Sequence, residues 1–285
     1  MKKTVLVLGI AASALVPSVA LAQAAAAPAS PHTFTGNLTF ATDYRFRGVS
    51  QTFKGPAVQG GLDYSHASGL YLGTWASNVS GNQYPNGSSL EWDFYGGWKG
   101  EVAKDLTLDV GGLYYWYPGT KFYNINPADG SSTKANNFEL YAGIGWKWLS
   151  LKYYHSLTNL FGIKNETFGT ACQNAQTGDA TDCFGPAPGN SKGSGYLDFT
   201  ASFEVAPKTT LIGHVGHQNV RHYGKLDYTD YKLGVTYDYN GWLLGAALVG
   251  TDATKGWYTA CEAGNPSNCK KVGESTVVLS VGRTF

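Results

Sequence analysis

Apolar and polar residues alternate with a period of two over most of this chain. Successive side chains of an extended strand point to opposite faces, so the alternation predicts strands with one apolar and one polar face. The first such run covers residues 34–47. Its apolar face comprises Phe34, Leu38, Phe40, Tyr44 and Phe46, and its polar face comprises Asn37, Thr39, Asp43, Arg45 and Arg47. About twelve runs of this kind are present, and two of them, residues 70–79 and 242–251, are apolar on both faces and give no orientation.

The composition favours strands that cross a membrane. Only 14% of the residues are charged, whereas a soluble domain has about 25%. The body of the chain has no apolar run of the roughly 20 residues that a membrane helix needs. We therefore predict an all-β fold, a transmembrane antiparallel β-barrel of about twelve strands. The competing fold is a secreted β-sandwich, which is disfavoured by the length of the strands and by the Trp and Tyr on their apolar faces.

The connections between these runs alternate between short and long. The short ones fall near residues 67–68, 103–104, 147–148, 206–207 and 240–241. The long ones fall at residues 48–56, 80–88, 118–135, 158–192, 219–226 and 252–273. Outer-membrane barrels combine short periplasmic turns with long extracellular loops, so the pattern predicts this architecture.

The start of the chain has the features of an export signal. Lys2 and Lys3 precede an apolar stretch over residues 5–16, and Ala20, Leu21 and Ala22 form a small-residue cleavage site. We expect a signal peptide over residues 1–22, a disordered Ala/Pro-rich segment over 23–31 and an outer-membrane barrel over 32–285. The expected location is the cell outer membrane.

The four cysteines agree with export to an oxidising compartment. Cys172 and Cys183 lie in one predicted long loop, and Cys261 and Cys269 lie in another. Each pair is close in sequence, which predicts two local disulfides. The alternative, a metal site, lacks Cys-x-x-Cys spacing and nearby histidines.

The C-terminal run ends in an aromatic residue, a feature of the segment through which outer-membrane barrels are recognised for insertion. Val277, Leu279, Val281 and Phe285 form the predicted insertion signal. Arg283 departs from the apolar pattern of that face, although its long side chain can reach the interface. The expected partners are accordingly outer-membrane lipid and the barrel-insertion machinery.

Several segments spread over the predicted barrel resemble one known family, the TorF-type porins of Gram-negative bacteria. The similarity lies in residues 38–52 (LTFATDYRFRGVSQT), 56–61 (PAVQGG), 73–79 (GTWASNV), 93–97 (DFYGG), 151–156 (LKYYHS) and 230–235 (DYKLGV). The resemblance implies an outer-membrane barrel with a porin-like role. It implies no substrate and no catalytic residues.

The polar faces of the strands supply the candidate site. The predicted pore-lining residues are Asp43, Arg45, Arg47, Asp63, Glu91, Asp93, Lys99, Asp109, Glu139, Lys152, Asp198 and Lys232. Arg45 and Arg47 either form a constriction for solutes or pair with inward carboxylates and hold a narrow barrel closed. Ten acidic residues against six basic ones are predicted to face inward, which favours cations if the lumen is open.

The function expected from these features is passive diffusion of small hydrophilic solutes or ions. The alternative is a closed barrel that binds a surface partner through its disulfide-braced outer loops, and a third class is an outer-membrane hydrolase. His155 and Ser156 are adjacent on a strand and point to opposite faces, so they cannot form a catalytic dyad with each other. We expect no catalytic residues, no metal, no cofactor and, with a net charge of +1, no nucleic-acid partner. The sequence leaves the oligomeric state open.

Overall fold

A computed structural model describes residues 30–84, 88–123, 131–169, 189–262 and 265–285. Twelve antiparallel strands form a closed barrel in which each strand pairs with its neighbours in sequence, and the first strand pairs with the last. The strands are β1 (His32–Ala41), β2 (Ala57–His66), β3 (Leu70–Asn78), β4 (Leu90–Ala103), β5 (Leu106–Trp116), β6 (Asn137–Trp146), β7 (Leu149–Ser156), β8 (Gly195–Ala206), β9 (Thr209–Asn219), β10 (Tyr228–Tyr239), β11 (Trp242–Thr251) and β12 (Thr276–Thr284). The predicted fold class and strand number are confirmed.

The connections alternate in length as predicted. Five short turns follow β2, β4, β6, β8 and β10, and six longer segments join the other ends of the strands. Asn240 and Gly241 both have positive φ, as a tight two-residue turn between twisted strands requires. β1 begins and β12 ends at the short-turn end of the barrel. These two terminal strands pair with each other, for example Phe40 with Val281, and this pairing closes the barrel.

Smaller elements occupy the long connections. Three two-stranded pieces pair Arg45–Phe46 with Val49–Ser50, Phe122–Tyr123 with Ser132–Thr133, and Thr259–Glu262 with Asn265–Lys271. Short helical turns are found at Leu160–Gly162, Asn165–Gly169 and Gly224–Leu226. None of the helices in the described part of the chain has the length and apolar character to span a membrane.

The outer face of the barrel is apolar on every strand. Large exposed apolar side chains on it include Phe34, Phe40, Leu62, Leu72, Phe94, Leu140, Ile144, Leu151, Phe199, Val215, Leu233, Leu248, Val277 and Leu279. Soluble proteins seldom expose an apolar surface that is continuous over a whole sheet. A lipid environment accounts for this face, because strands of a membrane barrel alternate apolar-out and polar-in.

The structure orients the two runs that the sequence left open. In β3, Leu70 and Leu72 face outward, whereas Trp75 and Ser77 are buried inside the barrel. In β11, Leu244 and Leu248 face outward, and Leu243 and Val249 are buried inside. The inner wall of this barrel is therefore partly apolar.

One prediction about the first run is wrong. The strand β1 ends at Ala41, and the following residues 42–56 leave the barrel wall and fold into the lumen. Tyr44 and Phe46, which the alternation placed on the lipid face, are buried in the interior. Asp43, Arg45 and Arg47 lie in this segment and not on the polar face of β1. We call residues 42–56 the inner hairpin, after the pairing of Arg45–Phe46 with Val49–Ser50.

Of the two predicted disulfides, Cys261–Cys269 is present and joins the two strands of the hairpin in the last long loop. Cys172 and Cys183 lie outside the described residues, as do the predicted signal peptide over residues 1–22 and most of the Ala/Pro-rich segment after it.

Candidate functional site: the inner hairpin and the lumen

Arg47, at the tip of the inner hairpin, links the hairpin to the barrel wall. Its Nη1 and Nη2 donate to Oε1 and Oε2 of Glu139 in β6, at 3.2 and 2.7 Å. Nη1 also donates to Oε1 of Gln218 in β9, at 2.7 Å. The guanidinium lies 4.2 Å from the ring centroid of Tyr196. Both charges are buried, so this bidentate pair fixes the orientation of the hairpin in the lumen.

Gly48 brings the backbone of the hairpin against the wall formed by β10 and β11. Its φ is +79°, and a Cβ at this position would lie 2.5 Å from Thr251 Cγ2 and 2.7 Å from Asp230 Cβ. A side chain at residue 48 would therefore be strained and would clash with β10 and β11. The tip of the hairpin thus lies against β10 and β11, which are three and two strands from β1 around the barrel.

Arg45 fastens the hairpin to the last long loop, residues 252–275. Its Nε donates to Asp43 Oδ2 at 2.6 Å. Its Nη1 donates to the carbonyl oxygens of Gly48, Val272 and Glu274, at 3.1, 3.1 and 2.9 Å.

Two further contacts join the hairpin to the same loop. Lys54 Nζ donates to Glu274 Oε2 at 3.0 Å, a hydrogen bond that lowers the pKa of this exposed carboxyl. Lys270 Nζ donates to the carbonyl oxygen of Phe53 at 3.1 Å. The loop that the Cys261–Cys269 disulfide braces therefore also holds the hairpin.

Aromatic side chains fill the lumen on the side of β2–β7. The buried cluster comprises Tyr44, Phe46, Ala57, Trp75, Val79, Tyr95, Leu113, Tyr115, Tyr117, Ala135 and Tyr141. Phe46 packs edge-on against Tyr115, with ring centroids 5.5 Å apart. The inner hairpin thus has its own apolar contacts, and half of the lumen is closed by them.

Two predicted lumen carboxylates lie buried within this cluster. Tyr44 Oη donates to Glu91 Oε1 at 2.8 Å. Neither oxygen of Asp93 has a hydrogen-bond partner among the described residues, and Glu91 Oε2 also has none there. Both side chains point inward as predicted, but they expose almost no surface to the lumen.

The other predicted residues sort into pairs along the inner wall. Lys152 Nζ donates to Asp109 Oδ2 at 2.7 Å, and Tyr95 Oη donates to Asp63 Oδ1 at 2.6 Å. Lys99 lies directly opposite Asp109 in the β4–β5 pair. These contacts place the side chains inside the barrel, and their role as pore-lining residues stays a prediction.

A histidine lies between two further aspartates on β8–β10. His214 Nε2 is 2.9 Å from Asp230 Oδ1, and its Nδ1 is 3.5 Å from Asp198 Oδ1. Tyr196 Oη donates to Asp230 Oδ2 at 2.8 Å. This arrangement has no local signature in the sequence, because the two carboxylates beside His214 come from the neighbouring strands.

The other half of the lumen contains a cavity of about 190 Å³. The inner hairpin forms one side of it, and β8–β12 with β1 form the other. Thr39, Thr200, His214, Lys232 and Ser280 are among its lining residues. Apolar atoms form the larger part of its wall, and Tyr44, Phe46, Leu113 and Tyr115 of the aromatic cluster border it beside these polar groups.

His155 and Ser156 are adjacent in β7 and lie on opposite faces of that strand. Ser156 is buried and donates to Asn137 Oδ1 at 2.6 Å, whereas His155 is on the opposite face of β7. Among the described residues, no group of three or more His, Cys, Asp or Glu side chains is arranged to hold a metal ion.

Residues 25–285 match a family described as a bacterial protein of unknown function, Gcw_chp. The chain belongs to the Gcw_chp family. No curated protein matches it. Since the Gcw_chp family has no assigned function, the finer resemblance to TorF-type porins stays a prediction.

Solved structures similar to this Gcw_chp protein are outer-membrane porins. The KdgM porin is 8% identical, with 88% of this chain and 98% of that chain covered and a TM-score of 0.47. The NanC porin is 9% identical, with 89% and 99% covered and a TM-score of 0.46. OmpT of Vibrio cholerae is 11% identical, with 91% and 99% covered and a TM-score of 0.37. At these identities the likeness concerns the fold alone.

Proposed function

We propose that this chain is an outer-membrane channel for passive diffusion of small hydrophilic solutes or ions, with the inner hairpin as its constriction. The apolar outer face supports a position in the membrane. The charged and hydroxyl side chains of the inner wall and the ion-paired hairpin support a route for polar solutes that narrows where the hairpin enters the lumen.

The cavity beside the hairpin is the observation that carries this proposal. Small barrels without a transport role have interiors filled by their own side chains. Here the aromatic cluster fills one half of the lumen, while the other half keeps a cavity of about 190 Å³ against the hairpin. A partly polar cavity of this kind would hold water, and water is the medium through which small solutes diffuse.

A closed, surface-binding barrel is the second candidate, and the packing of the outer loops favours it. Leu160, Val220, Tyr223 and Leu226 form one buried cluster between loops. Val49, Tyr228 and Val272 form another, which joins the inner hairpin to β10 and the last loop. In this alternative the loops are rigid so that they present a fixed surface to a partner, and the hairpin is a permanent plug.

Single-channel conductance in a planar lipid bilayer distinguishes the two candidates. The protein without residues 1–22 is refolded, and folding is checked by its resistance to SDS at room temperature. We expect stable conductance steps from the wild type and larger steps from Arg47→Ala, because the hairpin loses its bond to Glu139. Lys208→Ala, in an exposed turn on the short-turn side, is the matched control and should conduct like the wild type.

A folded wild type without conductance would contradict the channel. If a variant in which residues 43–55 are replaced by a short Gly/Ser linker then conducts, the hairpin is a permanent plug and the second candidate holds. Equal conductance of the wild type and Arg47→Ala would show a channel whose constriction lies elsewhere.

A further inference from the structure

The carboxylates of the lumen are largely neutralised by partners. Asp43 pairs with Arg45, Glu139 with Arg47 and Asp109 with Lys152. Asp198 and Asp230 share His214. Glu91 and Asp93 are buried in the aromatic cluster and expose no charge to the cavity. Asp63 accepts from Tyr95, and two carboxylates share the single His214, so the acidic excess that the sequence count gives is reduced at the surface that a solute would meet.

Lys232 is different, because none of the described residues pairs with its ammonium group. Its side chain lines the cavity from the middle of β10 and is partly buried. No carboxylate of the described residues lies within 4.0 Å of its Nζ, and no hydrogen bond to it is formed within the described part of the chain. Asp230, two residues before it on the same face, already binds His214 Nε2 and Tyr196 Oη.

An unpaired ammonium inside a barrel is energetically unfavourable unless something compensates its charge. Burying a charge without a partner destabilises a protein, and such groups mark functional sites when they persist in a membrane protein. The positions that flank Lys232 supply no anion, because His214 is directly opposite on β9 and Val249 is directly opposite on β11. Asp198 and Asp230 line the same cavity but are engaged by His214, which leaves the cavity itself as the place where a further counter-charge for Lys232 can bind.

The cavity offers suitable companions for a small anion. Thr39, Thr236 and Ser280, each with a hydroxyl group, line the same space as Lys232, whereas the Thr200 hydroxyl already donates to Asp198 Oδ1. Hydroxyls donate hydrogen bonds to carboxylate or phosphate oxygens, and an ammonium adds a charge-assisted bond. A cavity of about 190 Å³ is much larger than the space that one water molecule needs, which leaves room for a small organic or inorganic anion.

We propose that Lys232 forms an anion-binding site in the lumen and that the channel therefore prefers small anionic solutes to cations. This inference rests on the proposed channel function and names the class of its solute. It reverses the cation preference expected from counting acidic and basic residues.

Reversal potentials across a bilayer with a tenfold KCl gradient test the preference. The wild type should favour chloride over potassium. Lys232→Met keeps the length and the apolar stem of the side chain. One charge about 4 Å away in water changes the equilibrium distribution of each ion roughly fivefold, in opposite directions for the two ions, so we expect the chloride-to-potassium permeability ratio to fall about 25-fold. Lys232→Arg should retain the preference, and Lys208→Met, an exposed turn lysine, should leave it unchanged.

A second measurement separates failure of this inference from failure of the channel. Binding of chloride to the detergent-solubilised protein is followed by the line width of the chlorine NMR signal, with acetate and inorganic phosphate as competitors. Broadening by the wild type, its loss in Lys232→Met and its reversal by either competitor support the site even if no conductance is seen. A conducting wild type with cation preference, or broadening that is equal in wild type and Lys232→Met, overturns it.

Discussion

Arg47 is the residue on which the inner hairpin depends most. Its buried guanidinium satisfies Glu139 and Gln218 together, so Arg47→Met leaves the Glu139 carboxylate buried without its cation. We expect the free energy of unfolding to fall by about 3–5 kcal/mol, the usual effect of breaking a buried pair. Urea unfolding of the barrel in lipid vesicles, followed by tryptophan fluorescence, measures it.

The double variant Arg47→Met/Glu139→Gln is the control for that prediction. It removes both charges, so it should recover part of the lost stability. A double variant that is less stable than Arg47→Met alone would show that the two residues do not act as a pair.

Substitution of Asp93 should not lower the stability, in contrast to substitution of Arg47. Both carboxylate oxygens of Asp93 are buried, and neither has a hydrogen-bond partner among the described residues. Asp93→Asn removes a charge that the surroundings do not compensate. We expect the free energy of unfolding to stay the same or to rise by roughly 1 kcal/mol. The same urea titration measures the change.

Asp109→Asn is the matched control, since Asp109 is held by Lys152 and Tyr71. This variant should be destabilised, because Lys152 then lacks its carboxylate. If Asp93→Asn lowers the stability as much as Asp109→Asn does, Asp93 has a stabilising partner and the interpretation is wrong.

At the scale of elements, the sequence predicted the strands well and the inner hairpin badly. The strands can be recognised from the local sequence, because each pairs with a neighbour in sequence and alternates in polarity. The alternation does not stop at Ala41, so Tyr44 and Phe46 were assigned to the lipid face. What turns them inward is a set of contacts with distant residues. Arg47 and Glu139, for example, are 92 positions apart, and no local pattern encodes such a pairing.

The variant Gly48→Ala tests whether the contact of the hairpin tip with β10 and β11 narrows the lumen. An added Cβ would approach Thr251 and Asp230 closely at a positive φ, so Gly48→Ala should displace the tip from β10 and β11. We expect a larger and noisier single-channel conductance, because the constriction no longer rests on β10 and β11. Planar-bilayer recording of folded protein provides the measurement.

Gly213→Ala is the corresponding control, since a Cβ on Gly213 has open space around it and its φ is not positive. It should conduct like the wild type. Unchanged conductance of Gly48→Ala in a protein that remains folded would mean that the tip does not set the width of the passage.

At the scale of the whole molecule, the net charge of the lumen is the property that could not be predicted from the sequence. Counting inward residues gives an acidic lumen, and the direction of most of those side chains agrees with the structure. The count does not show which carboxylates are already paired, as Asp198 and Asp230 are with His214, or which are buried under the hairpin, as Glu91 is. The effective charge of a lumen follows from the groups left without partners, and Lys232 is such a group in the described part of this barrel.

The apolar outer face makes a prediction about where the barrel resides. Leu233 is in the middle of β10 and Tyr239 is at its short-turn end, and both are more than half exposed on that face. If lipid surrounds the barrel, an arginine at the middle of the bilayer should cost about 2–4 kcal/mol of folding stability, and an arginine near the interface about 0–1 kcal/mol. Leu233→Arg should therefore be much less stable than Tyr239→Arg in urea unfolding from lipid vesicles. Equal losses in the two variants would mean that the depth of the side chain does not matter, which is incompatible with a membrane around this face. A large loss confined to Leu233→Arg would place the middle of β10 in the hydrocarbon layer, with the inner hairpin and the Lys232 cavity enclosed at membrane depth.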